Sequence, residues 1–139
     1  MSNCIFCDII QKKLPAYIIY EDDDVIAILP KKMEVYGHTL VIPKKHYENI
    51  FDIEEKELHK VISCVQHLAL HYQKAIKATG VNILNASGKD AQQSISHLHF
   101  HIIPRFPDDH LDTRPKFPEY DIDKQTVLQK LHLPNGSAC

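Results

Sequence analysis

The sequence predicts an α+β domain built on an antiparallel sheet. Four short runs of β-branched and aliphatic residues, at 18–20, 25–29, 37–43 and 81–84, have the length of strands. A longer stretch, residues 55–76, repeats its apolar residues at helical spacing instead. Strands joined by short connections, with a single long helix among them, favour antiparallel pairing.

The composition is that of one ordinary globular domain. With 139 residues, 44% hydrophobic and 24% charged, the chain can bury a core but is short for two domains. A formal net charge of −2 gives no electrostatic reason to expect nucleic acid or an anionic membrane as a partner. The sequence shows neither a secretory leader nor a run of about 18 apolar residues. We therefore expect a cytoplasmic protein that binds neither nucleic acid nor membrane.

The first part of the chain predicts a short helix and three strands. Residues 4–11 have apolar side chains at helical spacing and are followed by Leu14-Pro15, which stops a helix. The strands at 18–20 and 25–29 flank four acidic residues, which indicates a hairpin. The strand at 37–43 places His38 on the same face as its apolar residues Leu40 and Ile42.

The centre of the chain predicts one amphipathic helix of about 25 residues. Asp52 and Glu55 resemble a capping box at its start, and Gly80 is the expected stop. Cys64 is expected inside as a small hydrophobe. The histidines expected on the polar side are His59, His67 and His71.

The second part predicts a strand at 81–84, a polar loop at 85–94 and then a histidine-rich strand. Polar loops of this kind suit anion binding, because backbone N–H groups, amides and hydroxyls converge there. Beyond Arg105 the sequence is rich in proline, has a short helical pattern at 123–131 and ends in a Gly/Ser tail.

Residues 96–105 carry the strongest chemical signal. In a strand, His97, His99 and His101 point to one face about 6.5–7 Å apart, and the apolar residues between them point to the other. Each imidazole can act as a nucleophile, an acid, a base or a metal ligand near neutral pH. One histidine here would indicate only a solvated edge strand, but three in alternation favour a chemical site. Pro104 is expected to end the strand, because it cannot donate to a sheet ladder.

Cys4 and Cys7 form a C-x-x-C pair, which supplies half of a tetrahedral zinc site. Two other interpretations remain open from the residues alone. A redox pair would require a thioredoxin-like βαβ context, which this sequence lacks, and the two thiols could also be unrelated buried side chains.

Four motifs together resemble one known family over residues 4–105. They are His97-Leu98-His99-Phe100-His101-Ile102-Ile103, Cys4-Ile5-Phe6-Cys7, Tyr20-Glu21-Asp22-Asp23 and Gly37-His38-Thr39-Leu40-Val41-Ile42-Pro43-Lys44-Lys45-His46. They are similar to the histidine triad (HIT) family of nucleotide hydrolases and transferases. The resemblance implies a five-stranded antiparallel sheet with one long and one short helix, and a homodimer with a ten-stranded sheet. It divides the chain into a HIT domain, 1–106, and an extension, 107–139, packed on the domain or the dimer and ending in a flexible tail.

The resemblance also assigns roles to particular residues. A structural zinc would be held by Cys4, Cys7, His46 and His97. His99 would be the nucleophile, with His101 and His38 bordering the phosphate. The residues implied at the α-phosphate are Asn85, Gln93 and Ser94. Those implied in an apolar pocket for a purine base are Ile5, Phe6, Ile9, Leu14 and Ile28.

Two positions depart from the family pattern. Pro30 stands where many members have an Asp that holds the ribose hydroxyls, and Gln92 stands where a Gly is usual. The expected function is hydrolysis of purine nucleoside 5′-phosphoramidates or related adenylylated compounds, of AMP or GMP type, through a nucleotidyl-His99 intermediate. The alternatives are a dinucleoside polyphosphate hydrolase and a nucleotide-binding interaction protein with weak activity.

Overall fold

A computed structural model describes residues 3–137. In this range the chain forms three α-helices, one short 3-10 helix and one five-stranded sheet. The elements are α1 (Ile5–Ile10), β1 (Ile18–Glu21), β2 (Val25–Ile28), β3 (Thr39–Pro43), α2 (Glu55–Ala75), β4 (Gly80–Leu84), the 3-10 helix (Lys89–Ala91), β5 (Phe100–Arg105) and α3 (Lys124–Leu131). All neighbouring strands are antiparallel, in the order β1-β2-β3-β5-β4. The predicted α+β class and five-stranded antiparallel sheet are confirmed.

Strand alternation gives the sheet two apolar faces with different coverings. Helix α2 packs on one face, and the buried strand residues on that side are Val25, Ala27, Val41, Phe100 and Ile102. Helix α1 covers the other face, where the buried strand residues are Ile26, Ile28, Leu40 and Ile42. His101 lies opposite Leu40 in the ladder and therefore on the α1 face. The predicted separation of histidine and apolar faces is observed.

Strand β5 begins later and ends later than the sequence predicted. Its ladder starts at Phe100, so His97 and His99 precede it. The N–H of Leu98 donates instead to the Tyr47 carbonyl, 2.7 Å away, which holds this segment against the loop after β3. Pro104 does not end the strand, because it lies beyond the last β5 residue that pairs with β3, where a missing N–H costs no bond to that strand.

Helix α2 has the predicted amphipathic pattern but different ends. It is 21 residues long and its N-cap is Glu54, whose side chain makes no capping bond. The Asp52 carboxylate accepts from the N–H groups of the preceding loop, so the predicted capping box is wrong. The helix stops before Lys77, which adopts a left-handed φ of 59°, and Gly80 already belongs to β4.

The C-terminal extension is anchored by one arginine and is otherwise exposed. The Arg105 guanidinium donates to Asp109, Asn82, Thr113 and the Leu111 carbonyl. Helix α3 begins at its N-cap Asp123, as the sequence predicted, and buries none of its residues. The division at residue 106 stays a prediction, and the last two residues of the tail lie outside the described range. Between residues 3 and 137, no helix is both long enough and apolar enough to span a membrane.

The position directly before His38 favours glycine, here Gly37, for two reasons: its backbone conformation and the lack of space for a Cβ. Its φ is +77°, and an added Cβ would lie 3.0 Å from Pro104 Cγ and 3.2 Å from Ile76 Cδ1. We expect Gly37→Ala to lower the free energy of unfolding by about 2 kcal/mol, measured by urea denaturation. Gly88→Ala is the matched control, because Gly88 also has a positive φ, +93°, but an added Cβ meets nothing within 4 Å. If both variants lost the same free energy of unfolding, the steric explanation for Gly37 would be contradicted.

Candidate active site and metal centre

The three histidines of the triad segment stand where the chain enters β5, on the α1 face of the sheet. The His99 and His101 rings are 5.0 Å apart between centroids, and His99 is buried, with 6% exposure. Phe6 of α1 meets two of them edge-on, with its centroid 5.2 Å from that of His99 and 5.8 Å from that of His97. The first helix therefore closes one side of the histidine cluster.

The tautomer of His99 is fixed by a backbone acceptor. Its Nδ1 lies 2.8 Å from the His97 carbonyl oxygen. Because a carbonyl can only accept, Nδ1 carries the proton and Nε2 keeps its lone pair. Burial lowers the pKa of His99, which keeps the ring neutral. Asn85 Nδ2 donates to the His99 carbonyl at 3.0 Å and holds the backbone in place. His99 therefore presents an unprotonated nitrogen, as a nucleophile requires.

His38 and His101 form a neutral imidazole pair. His38 Nε2 and His101 Nδ1 are 2.9 Å apart, and the two rings are stacked. Burial lowers the pKa of His38, and together with the neighbouring imidazoles it lowers the pKa of His101 to about 4. One of the two facing nitrogens must carry the shared proton, so His101 Nε2 is an N–H in one tautomer and a lone pair in the other. His38 Nδ1 is buried without a hydrogen-bond partner among residues 3–137.

The polar loop before the triad is organised by the Gln93 side chain. Its Nε2 donates to the carbonyls of Glu48, at 2.7 Å, and Ile95, at 2.9 Å, and its Oε1 accepts from the Gly88 N–H at 2.8 Å. Both Nε2 hydrogens are therefore used within the protein. Ser94 is exposed at the mouth of the loop. Asn85, Gln93 and Ser94 thus lie in one loop, while their contact with phosphate stays a prediction.

Gln92 retains the conformation that glycine usually supplies. Its φ and ψ are 65° and 32°, in the left-handed region, at the end of the 3-10 helix. Gln92 therefore holds this conformation at a cost in backbone strain, since a side chain at positive φ costs about 1–2 kcal/mol.

The five positions predicted for a base pocket do not share one environment. Phe6, Ile9 and Ile28 are buried in the apolar cluster beneath α1. Ile5 and Leu14 are each 42% exposed. The structure places three of the five in the core next to the histidines and leaves two at the surface.

The four residues predicted to bind metal meet in one cluster. Cys4 Sγ, Cys7 Sγ and one ring nitrogen each of His46 and His97 lie within 4.8 Å of one another. His97 Nδ1 is 3.3 Å from Cys4 Sγ, 3.6 Å from Cys7 Sγ and 3.1 Å from His46 Nδ1, and Cys7 Sγ is 3.3 Å from His46 Nδ1. The cluster joins α1, the end of β3 and the triad segment.

The cluster has the chemistry and dimensions of a closed tetrahedral site. Zinc bonds of about 2.0–2.1 Å to nitrogen and about 2.3 Å to sulfur imply ligand separations of roughly 3.3–3.8 Å, close to those observed. His97 Nε2 donates to the Pro43 carbonyl at 2.8 Å, which leaves Nδ1 as the free ligand atom. Burial lowers the pKa of His97 to about 4, so the ring is neutral, as a ligand must be. These residues can hold a metal ion.

Comparison with known proteins assigns the family. A family model for the HIT domain matches residues 11–108. The chain belongs to the HIT family. A HIT-like protein of Methanocaldococcus jannaschii is 43% identical over 129 residues, covering 92% of this chain and 98% of its own. Adenosine 5′-monophosphoramidase of Saccharomyces cerevisiae is 36% identical over 104 residues, 75% of this chain and 63% of its own.

Solved HIT structures share the fold. A HIT family member from Bacillus subtilis superposes with a TM-score of 0.82 at 35% identity, covering 93% of this chain and 92% of that one. A zinc-bound histidine triad protein from Mycobacterium smegmatis gives 0.76 at 35% identity, with 82% and 83% covered. A hypothetical histidine triad nucleotide-binding protein from Sulfolobus tokodaii gives 0.73 at 42% identity, with 91% and 87% covered.

Sequence reasoning missed two backbone acceptors and one side-chain role. The carbonyls of Pro43 and His97 orient His97 and His99, and a carbonyl leaves no signal in residue identity. The structure gives the Gln93 amide a further role, because its Nε2 donates to the Glu48 carbonyl and holds the loop. The Pro43 and Glu48 acceptors are far from their donors in sequence, whereas the His97 acceptor is two residues from His99 and depends on the local backbone path.

The strain at Gln92 gives a direct test of the loop. We expect Gln92→Gly to raise the free energy of unfolding by about 1 kcal/mol, because glycine adopts positive φ without steric cost. Gln93→Gly is the matched control and should destabilise instead, because it removes the amide that holds the loop. Urea denaturation measures both variants, and a loss of stability in Gln92→Gly would contradict the strain.

Proposed function

We propose that this HIT protein hydrolyses purine nucleoside 5′-phosphoramidates or related adenylylated compounds. The observation that carries the proposal is the bond from His99 Nδ1–H to the His97 carbonyl, since it leaves Nε2 unprotonated in a buried site. His99 Nε2 attacks the α-phosphorus, the bond to the amine leaving group breaks, and the amine departs with a proton. Water then attacks the nucleotidyl-His99 intermediate, releasing the nucleoside monophosphate and restoring the neutral ring.

We propose that the His38–His101 pair supplies the proton that the departing amine takes up. With the shared proton on His38, His101 Nε2 is an N–H that can protonate the departing amine. With that proton on His101 Nδ1, its Nε2 is a lone pair that can accept a proton from the attacking water. The lowered pKa of both rings keeps the resting pair neutral, with one proton on each ring. Giving the Nε2 proton to the amine leaves a negative charge on the pair, beside the positive nucleotidyl-His99 ring, and the proton taken from the attacking water restores the neutral pair.

The remaining predicted residues position the substrate in this proposal. Asn85 acts through the His99 backbone, and Ser94 and the N–H groups of the loop face the α-phosphate. Gln93 keeps the loop in shape. Phe6 and Ile28 border the purine. Because Pro30 supplies no carboxylate, the ribose hydroxyls are held by other groups or by water.

Two relatives support the reaction class. The yeast relative is named as an adenosine 5′-monophosphoramidase, and the Sulfolobus tokodaii structure is that of a hypothetical histidine triad nucleotide-binding protein. The left-handed conformation at Gln92, which a glycine adopts readily, favours an active phosphate loop over an interaction protein with weak activity. Cleavage of dinucleoside polyphosphates would use the same nucleophile and differs only in the leaving group.

We further propose that Cys4, Cys7, His46 and His97 hold a structural zinc. The zinc-bound Mycobacterium smegmatis relative supports this choice of metal. Four protein ligands leave no open position, so the ion would contribute cross-links between α1, β3 and the triad segment and no Lewis-acid chemistry. Its nearest link to catalysis is the His97 carbonyl that orients His99.

We also propose a homodimer joined at β4. This strand is at the edge of the sheet, and Ile83 and Leu84 are 48% and 40% exposed. On α2, Leu70 lines a shallow cleft with Val81 of β4 and is also exposed. An apolar edge strand beside an apolar helix face favours pairing with a second copy, which would extend the sheet to ten strands. The exposed apolar residues of the extension would then pack on the domain or on the partner.

A cytoplasmic location stays a prediction.

Replacing the nucleophile tests the reaction. We expect His99→Ala to reduce AMP release from adenosine 5′-phosphoramidate by at least about 1,000-fold while retaining AMP binding, because the covalent step is lost but the pocket remains. His59→Ala, an exposed histidine on α2, is the control and should match the wild type. Rapid quenching and mass spectrometry should detect a nucleotidyl adduct on His99 in the wild type.

Turnover that survives His99→Ala would exclude this mechanism. The ratio of rates on adenosine 5′-phosphoramidate and on a diadenosine polyphosphate then decides which leaving group the site prefers.

Removing one thiol tests the zinc. We expect Cys4→Ala to lower zinc content, measured by atomic emission, from about one ion per chain to well below half, and to lower the melting temperature. Cys64→Ala is the matched control, because it removes another buried thiol outside the cluster. The Cys64→Ala variant should have a lower melting temperature and an unchanged zinc content. A wild type purified without any metal would contradict the proposal.

A further inference from the structure

A second group of histidine, cysteine and aspartate side chains lies on the opposite side of the sheet from the candidate active site. A groove of about 820 Å³ runs between α2 and the β1–β2 hairpin. The side chains that α2 contributes to it include His59, Ser63, Cys64, His67 and His71, and the hairpin contributes Tyr20, Asp22 and Asp24. The proposed function uses none of these residues.

We propose that His67 and His71 form a binding site for a divalent transition-metal ion such as Zn²⁺ or Ni²⁺. They are four residues apart within α2, so their side chains leave the same helix face on successive turns. Both line the groove, and both are exposed to solvent. Two imidazoles at this spacing can bind one ion together, which neither can do alone.

The neighbouring contacts favour these two residues over the other ligands in the groove. Ser63 Oγ is 3.5 Å from His67 Nδ1, which leaves Nε2 directed away from the helix as the ligand atom. Asp22 accepts from Tyr20 and from two backbone N–H groups, and Asp24 is paired with Lys60 at 2.9 Å. His59 is 3.6 Å from Glu55 and stands two turns before His67.

The site would have two protein ligands, with water in the remaining positions. Within residues 3–137, only the Cys4 cluster gathers three or more ligand atoms within 4.8 Å. Cys64 is the nearest thiol along the helix, but burial raises its pKa to about 11, so it stays protonated and is a poor ligand. The groove site is therefore expected to bind more weakly than the Cys₂His₂ cluster and to remain open to exchange.

Calorimetry on tag-free, full-length protein tests the site. The protein is first adjusted to one Zn²⁺ per chain, checked by atomic emission, so that the Cys₂His₂ cluster is filled, and is then titrated with Zn²⁺ and, separately, with Ni²⁺. We expect one further, weaker binding event in the wild type. His67→Gln and His71→Gln should each weaken it by more than about tenfold, since each removes half of the protein ligands.

His59→Gln is the matched control, because His59 is on the same helix and lines the same groove. It is about 12 Å from His67 along the helix axis and cannot bind the same ion. This variant should retain the second event. The proposal would be overturned if the wild type showed no second binding event, or if the affinity of that event were the same in all variants.

A gain of affinity provides an independent test. Ser63→His adds a third imidazole one turn before His67, and we expect it to tighten the second event. A thermal measurement adds a further check. Excess Zn²⁺ should raise the melting temperature of the zinc-loaded wild type and of His59→Gln, because an ion that binds only the folded state stabilises that state. It should not raise the melting temperature of His67→Gln. An unchanged affinity in Ser63→His would count against an ion at this helix face.

Discussion

The hydrogen bond from His99 Nδ1 to the His97 carbonyl joins the two halves of the candidate site. On one side, His97 is held by the Pro43 carbonyl and meets two thiols and His46. On the other, the same residue's carbonyl fixes the proton of His99 and frees Nε2. A displacement of His97 would therefore move both one side chain of the Cys4–Cys7–His46–His97 cluster and the acceptor that orients the His99 ring, although the two groups share no side chain.

The two faces of the sheet carry different parts of the protein, the larger core on one and the candidate site on the other. Helix α2 and the apolar residues of β5 form the larger core on one face, whereas α1, the metal cluster and the histidines occupy the other. Because strand residues alternate, Phe100 and Ile102 anchor β5 in that core while His101 is presented on the opposite side. The rigid core thus positions the histidines without contributing a catalytic group.

The loop before the triad holds a non-glycine residue in a backbone conformation that favours glycine. Gln92 has the left-handed conformation that glycine adopts without cost, and Gln93 donates from its Nε2 to the carbonyls of Glu48 and Ile95. These contacts offset the strain at Gln92. The identity of Gln92 did not reveal this conformation, because residue identity reports conformational preference and not the contacts that override it.

The sequence by itself determined the α+β class, the antiparallel sheet, the family and the division of β5 into two faces, because hydrophobic period and motif spacing are local properties. It did not determine where β5 begins or why Pro104 is tolerated, since each depends on a segment far along the chain. The tautomer of His99 depends on the backbone path between His97 and His99, which the bond from Leu98 to Tyr47 holds. The pairing of His38 with His101 and the meeting of Cys4 with His97 were decided only by tertiary structure. Each is a contact between a few atoms, and folding alone brings those atoms within hydrogen-bonding distance.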